Sequence, residues 1–323
     1  MFAANSRGML SPIQSWLDDD TVSEIMINRP QEVWVEKNGS IIKHHVAAFN
    51  HYHLSNLLQL LATENHQSLN QNCPILSGSL MDGSRIQCVI EPVSPFPVIA
   101  IRRQIERQVR LDDFFIESHS SEQLIPPKLC NSYEERLRDN IFQKVWRSAV
   151  YSALHLKKTI VISGGTSSGK TSLLNACLDV VDTHDRLITL EDTREIVAPH
   201  LNQVNLLISS MADDKHSITM QDLIKCSLRL RPDRILIGEI RGAEIVDFLN
   251  AAATGHEGCM TTIHAGSPQE ALIRMKQLYK LNAVPSMTDQ DILDEIRHVI
   301  DVIIQVKKTN IGREVVEVVE IVS

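Results

Sequence analysis

Apolar and polar positions follow two different rhythms along this chain. In the first third, EIMIN (24–28) and EVWVE (32–36) are short apolar runs separated by RPQ, which predicts two strands and a tight turn. HLSNLLQLLAT (53–63) has helical periodicity. SRIQCVIEPV and PVIAIRRQI are β-rich runs joined through the proline-containing SPF, consistent with a hairpin. Residues 1–117 therefore read as an α+β domain. The polar stretch ESHSSEQLIPPKLCNS, with its proline pair, marks a linker placed at 118–135. From 136 to 323 apolar strands alternate with amphipathic helices, the pattern of a mostly parallel sheet wrapped by helices. The end returns to two β-rich runs, VIDVIIQV and REVVEVVEIV, around the turn KKTNIG.

Composition narrows the class without changing that division. The chain has 323 residues, enough for two domains with sizeable cores. Its net charge of -8 argues against a general grip on nucleic acid, which needs a basic footprint. No apolar run approaches the roughly 18 residues of a membrane-spanning helix, and the start lacks a secretory apolar core, so a cytoplasmic location is expected. Cys73, Cys88, Cys130, Cys177, Cys226 and Cys259 are scattered, with no C-x-x-C pair, and are expected to be buried free thiols.

The chemistry gathers in the second domain. Gly164, Gly165, Thr166, Ser167, Ser168, Gly169, Lys170 and Thr171 fit G-x-x-x-x-G-K-[ST] at every fixed position, between a strand (TIVIS) and a helix (TSLLNACLDVV). In such a loop backbone N–H groups turn inward on phosphate oxygens, and the helix N-terminus adds partial positive charge. Lys170 is expected to reach the outer phosphates, the Thr171 hydroxyl to hold Mg²⁺, and Ser172 to extend the binding set.

The other strands run into further polar groups. LITL leads to Glu191, Asp192 and Glu195; RILIG to Glu239 and Arg241; CMTTI to His264. In an open parallel sheet, ligands sit beyond the carboxyl ends of the strands, so one edge collects all of these. Phosphoryl transfer to water needs a metal holder, a group that orients the water, and positive charge near the terminal phosphate. Glu239 suits the metal's water shell and the attacking water; Glu195 is a second group to polarise that water; His264 suits a γ-phosphate sensor. His256 and the group His44, His45, His51 and His53 lack ligands at a metal-binding spacing and read as structural or solvated.

The motifs GGTSSGKTSLLNA, LITLEDTREI, SLRLRPDRILIGEIRG and GHEGCMTTIHAGSP resemble, in order, the Walker A, Asp-box, Walker B and His-box motifs of the type II/IV secretion ATPases. EIMINRPQEVWVEKNG and LMDGSRIQCVI resemble the N-terminal domain of the VirB-type traffic ATPases of type IV secretion systems. The resemblance implies an α/β chain: a RecA-like P-loop ATPase domain preceded by a smaller α+β domain. It implies ATP and Mg²⁺ as cofactors, and catalytic roles for Lys170, Glu195, Glu239 and His264, with Thr171 and Glu239 at the metal. It further implies that first-domain arginines contact the phosphates, Arg85, Arg102 and Arg103 being the nearest matches. Family members form homohexameric rings at the cytoplasmic face of the inner membrane and bind other secretion components.

Other readings are a pilus retraction or assembly ATPase of the same superfamily and a P-loop kinase. Against the kinase, no acceptor-binding motif is evident, and the guanine-reading N-K-x-D is absent, which weighs against a GTPase. Direct gripping of DNA is disfavoured by the acidic balance. Met9, Leu10, Ile13, Trp16 and Leu17 line one helical face suited to peripheral membrane contact or, more commonly, to a core.

Overall fold

A computed structural model describes residues 6–103, 109–115, 133–208, 218–283, 286–310 and 312–321. The linker core and Cys130 lie outside the described residues. The chain divides into two compact units, one holding the described residues up to 103, the other those from 109 onward.

The first unit is a six-stranded sheet with helices on one face. It starts with short helices α1 (Ser6–Met9) and α2 (Gln14–Leu17). Strands β1 (Val22–Arg29), β2 (Glu32–Lys37) and β3 (Ser40–His45) come next. Helix α3 (His51–Glu64) and strands β4 (Ile75–Ser79), β5 (Arg85–Val89) and β6 (Val98–Arg102) complete it. The spatial order is β3-β2-β1-β6-β5-β4, every pair antiparallel. Alternation puts one side chain in two on the core face. Ile25 and Ile27 pair with Val35 and Val33 on one side and with Ile101 and Ile99 on the other, and all six are buried. Along β1 the buried positions are Val22, Ile25 and Ile27; a register shift between Val22 and Glu24 absorbs the odd spacing. The Asn50 side chain caps α3 by accepting from the His53 N–H, and Leu54, Leu57, Leu58 and Leu61 turn its apolar face into the same core.

The segment considered for membrane contact belongs to that core. Leu10, Ile13 and Leu17 are buried in it, with Met9 and Trp16 packed against it. The periodicity was that of a core-facing helix, because the sheet needs cover on this face. The histidines nearby are also structural: His53 Nε2 lies 2.8 Å from the Met9 carbonyl, and the His44 ring packs against Trp16 at an interplanar angle of 45°. No metal-holding cluster of His, Cys, Asp or Glu occurs among the described residues.

The second unit is a seven-stranded sheet covered on both faces. Its elements run α4 (Tyr133–Phe142), α5 (Trp146–His155), β7 (Ile160–Gly164), α6 (Lys170–Leu178), β8 (Leu187–Glu191) and β9 (Gln203–Leu207). They continue with α7 (Met220–Ser227), β10 (Arg234–Ile237), α8 (Ile245–Ala253), β11 (Met260–His264) and α9 (Pro268–Tyr279). Helix α10 (Asp289–Val299) and strands β12 (Val302–Lys308) and β13 (Arg313–Glu320) end it. The order is β13-β12-β7-β11-β10-β8-β9, parallel throughout except for β13. Ile160 and Ile162 point into the core beneath α4, α5 and α6; Val161 points into the opposite core with α7 to α10. Burial on both faces is why these strands read as unbroken apolar runs rather than alternating ones.

Two expectations need correction. Leu111 and Phe114, expected in the first domain, are buried in the core of the second unit beside Leu173 and Val315. The polar stretch that suggested a boundary follows them, whereas their apolar side chains decide where they pack. Cysteines 88, 177 and 259 are buried, and burial pushes the thiols of Cys88 and Cys177 up to about 12; Cys73 and Cys226 are exposed, on surfaces the scattered spacing did not reveal. No helix among the described residues is long and apolar enough to cross a membrane.

Ile13 is fully buried, so Ile13→Ala should cost about 2–5 kcal/mol in chemical denaturation of the full chain. An unchanged unfolding midpoint together with weaker vesicle binding would return this segment to the membrane.

Candidate active site

The loop between β7 and α6 has the backbone shape its sequence predicts. Ser167 (φ 57°) and Gly169 (φ 97°) both adopt the left-handed region, which turns successive N–H groups toward one side as a nest for an anion. Left-handed backbone favours glycine, and at Gly169 a second reason applies: an added Cβ would lie 2.5 Å from Arg313 Cδ. Lys170 Nζ donates to the Gly164 and Gly165 carbonyls at 3.1 and 3.2 Å, so the ammonium folds over the loop. Ser168 Oγ is buried and finds no hydrogen-bond partner among the described residues. Thr166 is exposed; Thr171 and Ser172 are half-buried in the first turn of α6.

Parallel pairing brings the other strand ends to this loop. His264, exposed, is the register partner of Gly164 across β7 and β11. Glu239 lies two residues past β10, which pairs with β11 on one side and β8 on the other. Strand β8 ends at Glu191, and Glu195 follows in the next loop.

Glu195 is held at three points. Its N–H donates to Glu191 Oε1 at 2.7 Å, and its carbonyl accepts from Asn175 Nδ2 at 2.8 Å. Its Oε2 accepts from the Thr171 hydroxyl at 3.0 Å. The Val197 N–H also donates to Asn175 Oδ1, at 3.2 Å, so α6 clips the Asp-box loop on two residues. Glu191 is the anchor beneath: 2% exposed, it accepts the N–H of Ile196 as well, at 2.7 Å. Burial pushes its carboxyl up to about 7, against the two backbone N–H groups that favour the ion; the charges of Glu195 and Asp192 add to the rise.

Glu239 is engaged differently. Its Oε2 accepts from Arg241 Nε at 2.8 Å and Nη2 at 2.6 Å, while Arg241 Nη1 reaches Asp192 Oδ2 at 2.6 Å. One guanidinium thus joins the Walker-B-like and Asp-box loops. Thr171, expected at the metal with Glu239, donates its hydroxyl to Glu195 Oε2. The hydroxyl of Thr171 with the carboxylates of Glu195 and Glu239 is a hard oxygen set of the kind Mg²⁺ takes. The left-handed loop backbone, the buried Ser168 hydroxyl and Lys170 suit a polyphosphate.

The first unit's arginines divide. Arg102, at the end of β6, has a side chain 52% exposed and 3.8 Å from Glu24. Arg85 opens β5 and is half-buried. Arg103 differs from the expectation: its side chain is 9% exposed, its Nη1 donates to the Asp19 carbonyl, and Nη2 lies 3.7 Å from Asp20. It ties the end of α2 to the end of β6, because the turn after α2 leaves carbonyls that need a donor. His256 is likewise structural, with Nδ1 3.1 Å from the Ala251 carbonyl. Asn175, Arg241 and Arg313 carry contacts that the motif reading did not assign. Asn175 falls one turn after Thr171 on α6, a spacing that could have flagged it; Arg313 carries no such signal.

Below both the usual carboxylate value of 4.5 and about 7, Glu191 is neutral in the fold and its burial costs no ionisation. As pH rises from 4.5 through about 7 that stabilising contribution is progressively lost. Glu191→Gln should therefore gain stability relative to the parent over this window, by up to about 3 kcal/mol, and show no further gain at higher pH. Thermal unfolding from pH 4 to 9 checks this; a constant difference would place the carboxyl's titration elsewhere.

The family model described as "Type II/IV secretion system protein" matches residues 136–309. The chain is 31% identical over 325 aligned positions, 98% of this chain and 90% of the relative, to the type IV secretion system protein VirB11 of Brucella suis biovar 1. It is also similar to the crystal structure of the Brucella suis VirB11 ATPase in complex with sulphate, at a TM-score of 0.54 and 30% identity, covering 98% of this chain and 95% of that one. The pilus retraction motor PilT with bound ADP shares the fold at a TM-score of 0.61 and 18% identity, over 97% and 83% of the two chains. With the loop, the carboxylates and the histidine on one sheet edge, and similarity running nearly end to end, this chain belongs to the type II/IV secretion ATPases and is VirB11-like.

Proposed function

We propose that this chain is an ATP-hydrolysing motor of a type IV secretion system, working as a homohexamer at the cytoplasmic face of the inner membrane. The observation that carries the reading is the attachment of Glu195 to the phosphate-loop helix through Thr171 and Asn175, with Glu239 and His264 at the same sheet edge. The similarity to VirB11 over 98% of the chain favours secretion over the pilus reading, since the pilus motor supports the fold alone.

In this reading the loop N–H groups and Lys170 bind the polyphosphate, and Thr171 and Glu239 would hold Mg²⁺, which would supply neutralising charge to the phosphates. Glu195 accepts a proton from, and orients, the attacking water; its backbone anchors keep that carboxylate from swinging away. His264 reports the terminal phosphate. Arg85 and Arg102 are the first unit's candidates for phosphate, on the family resemblance alone. Arg103 is a structural tie. The energy goes into domain motion that serves machine assembly or substrate passage with other secretion components.

Glu195→Gln should lower kcat for ATP by about 10²–10⁴-fold with little change in KM. The rate per protomer should climb with protein concentration as rings form, and Glu239→Gln should abolish it. A single-protomer species at full rate, identified by sizing the same samples, would overturn the ring and favour a kinase. Arg102→Ala should slow hydrolysis by about 10³-fold or more if it acts as an arginine finger. Arg103→Ala should instead lower the first unit's melting temperature; the reverse pattern would exchange their roles.

A further inference from the structure

We infer that Arg313 is a nucleotide-binding residue acting on the nucleoside end of the ligand, its α-phosphate and base. This rests on the phosphate loop being the nucleotide site. Arg313 is the first residue of β13, which runs antiparallel to the rest of the sheet. Its start therefore lies at the edge where the parallel strands end. The registers place it there: Val306 of β12 pairs with Gly164, and two residues further on Lys308 pairs with Arg313.

The side chain lies across the loop. A Cβ on Gly169 would meet Arg313 Cδ at 2.5 Å, Nε at 3.2 Å and Cγ at 3.3 Å. Gly169 directly precedes Lys170 and the first turn of α6, so a second cation sits at the loop. Strand order gives its direction. β11, β10 and β8, which lead to His264, Glu239 and Glu195, all lie on one side of β7; β12 and β13 lie on the other. A nucleotide whose terminal phosphate points to the carboxylates directs its nucleoside end toward the β12–β13 hairpin. A guanidinium suits both parts of that end, since it can pair with an α-phosphate oxygen or stack flat on a base.

The test separates nucleoside from phosphate. Binding of ADP and of inorganic phosphate, each with Mg²⁺, is measured by calorimetry on the full chain, for the parent, Arg313→Gln and Lys170→Ala. Arg313→Gln should weaken ADP by about 10-fold or more, the range of a lost charge-assisted contact, and leave inorganic phosphate, which has no group at the α position, unchanged. Lys170→Ala should weaken both. Equal weakening of both ligands by Arg313→Gln would overturn the assignment in favour of a general effect on the loop, and no change in either would reduce Arg313 to packing. Arg313→Lys guards against a folding defect: retained ADP affinity marks an ionic contact to the α-phosphate, lost affinity with inorganic phosphate binding intact marks stacking on the base, and loss of both overturns the assignment. A parent chain that binds neither ligand would remove the nucleotide site itself, and the inference with it.

Discussion

Parallel pairing of β7 with β11 and β12 is the constraint on which the site depends. Parallel strands present the same end to the same edge, so groups far apart in sequence arrive together without any contact between their local segments. His264 faces Gly164 in register although 100 residues separate them in the chain. Both faces of this sheet are covered, and the buried alternation of Ile160, Val161 and Ile162 holds the register. A slip of one residue would exchange the two cores and move every strand end.

Within that frame, a costly buried carboxylate organises the reacting edge. Glu191 is desolvated at the end of β8, and its oxygen is shared by two N–H groups of the following loop. That geometry fixes the direction in which Glu195 leaves the sheet. Asn175 and Thr171 then fasten the same residue to α6, the helix that begins with Lys170. A shift of α6 on binding phosphate would carry the Glu195 carboxylate with it. Arg241 makes the corresponding link between Glu239 and Asp192, so one guanidinium joins the two acidic loops.

Charge and apolar pattern had different reach when read from the sequence. The strands EIMIN, EVWVE, LITL and RILIG are each found where the pattern put them, since β-rich apolar runs bounded by turn residues leave few alternatives. β3 and β9 carry weaker patterns, with mostly exposed or half-buried side chains, and were not anticipated. Among the arginines, Arg102 and Arg103 are adjacent and alike in sequence. Strand alternation turns one outward, while the other is drawn back to the Asp19 carbonyl. The apolar face from Met9 to Leu17 shows the same ambiguity. Its spacing states that one side is buried, and the open face of the first sheet states against what.

By itself the sequence determined the glycine-rich turn between β7 and α6, the order of the four motifs and the succession of strands and helices. Each of these is local: a left-handed turn needs glycine or a tolerant residue, a strand needs its apolar run, and a helix start needs its place after the loop. Tertiary structure alone decided the anchoring of Glu195 by Asn175 and Glu191, the Arg241 bridge, and the approach of Arg313 to Gly169. Those contacts depend on which strands lie next to each other and which face of a helix meets the sheet. Such neighbours are set by the packing of two buried faces, and a linear pattern of residues does not specify them.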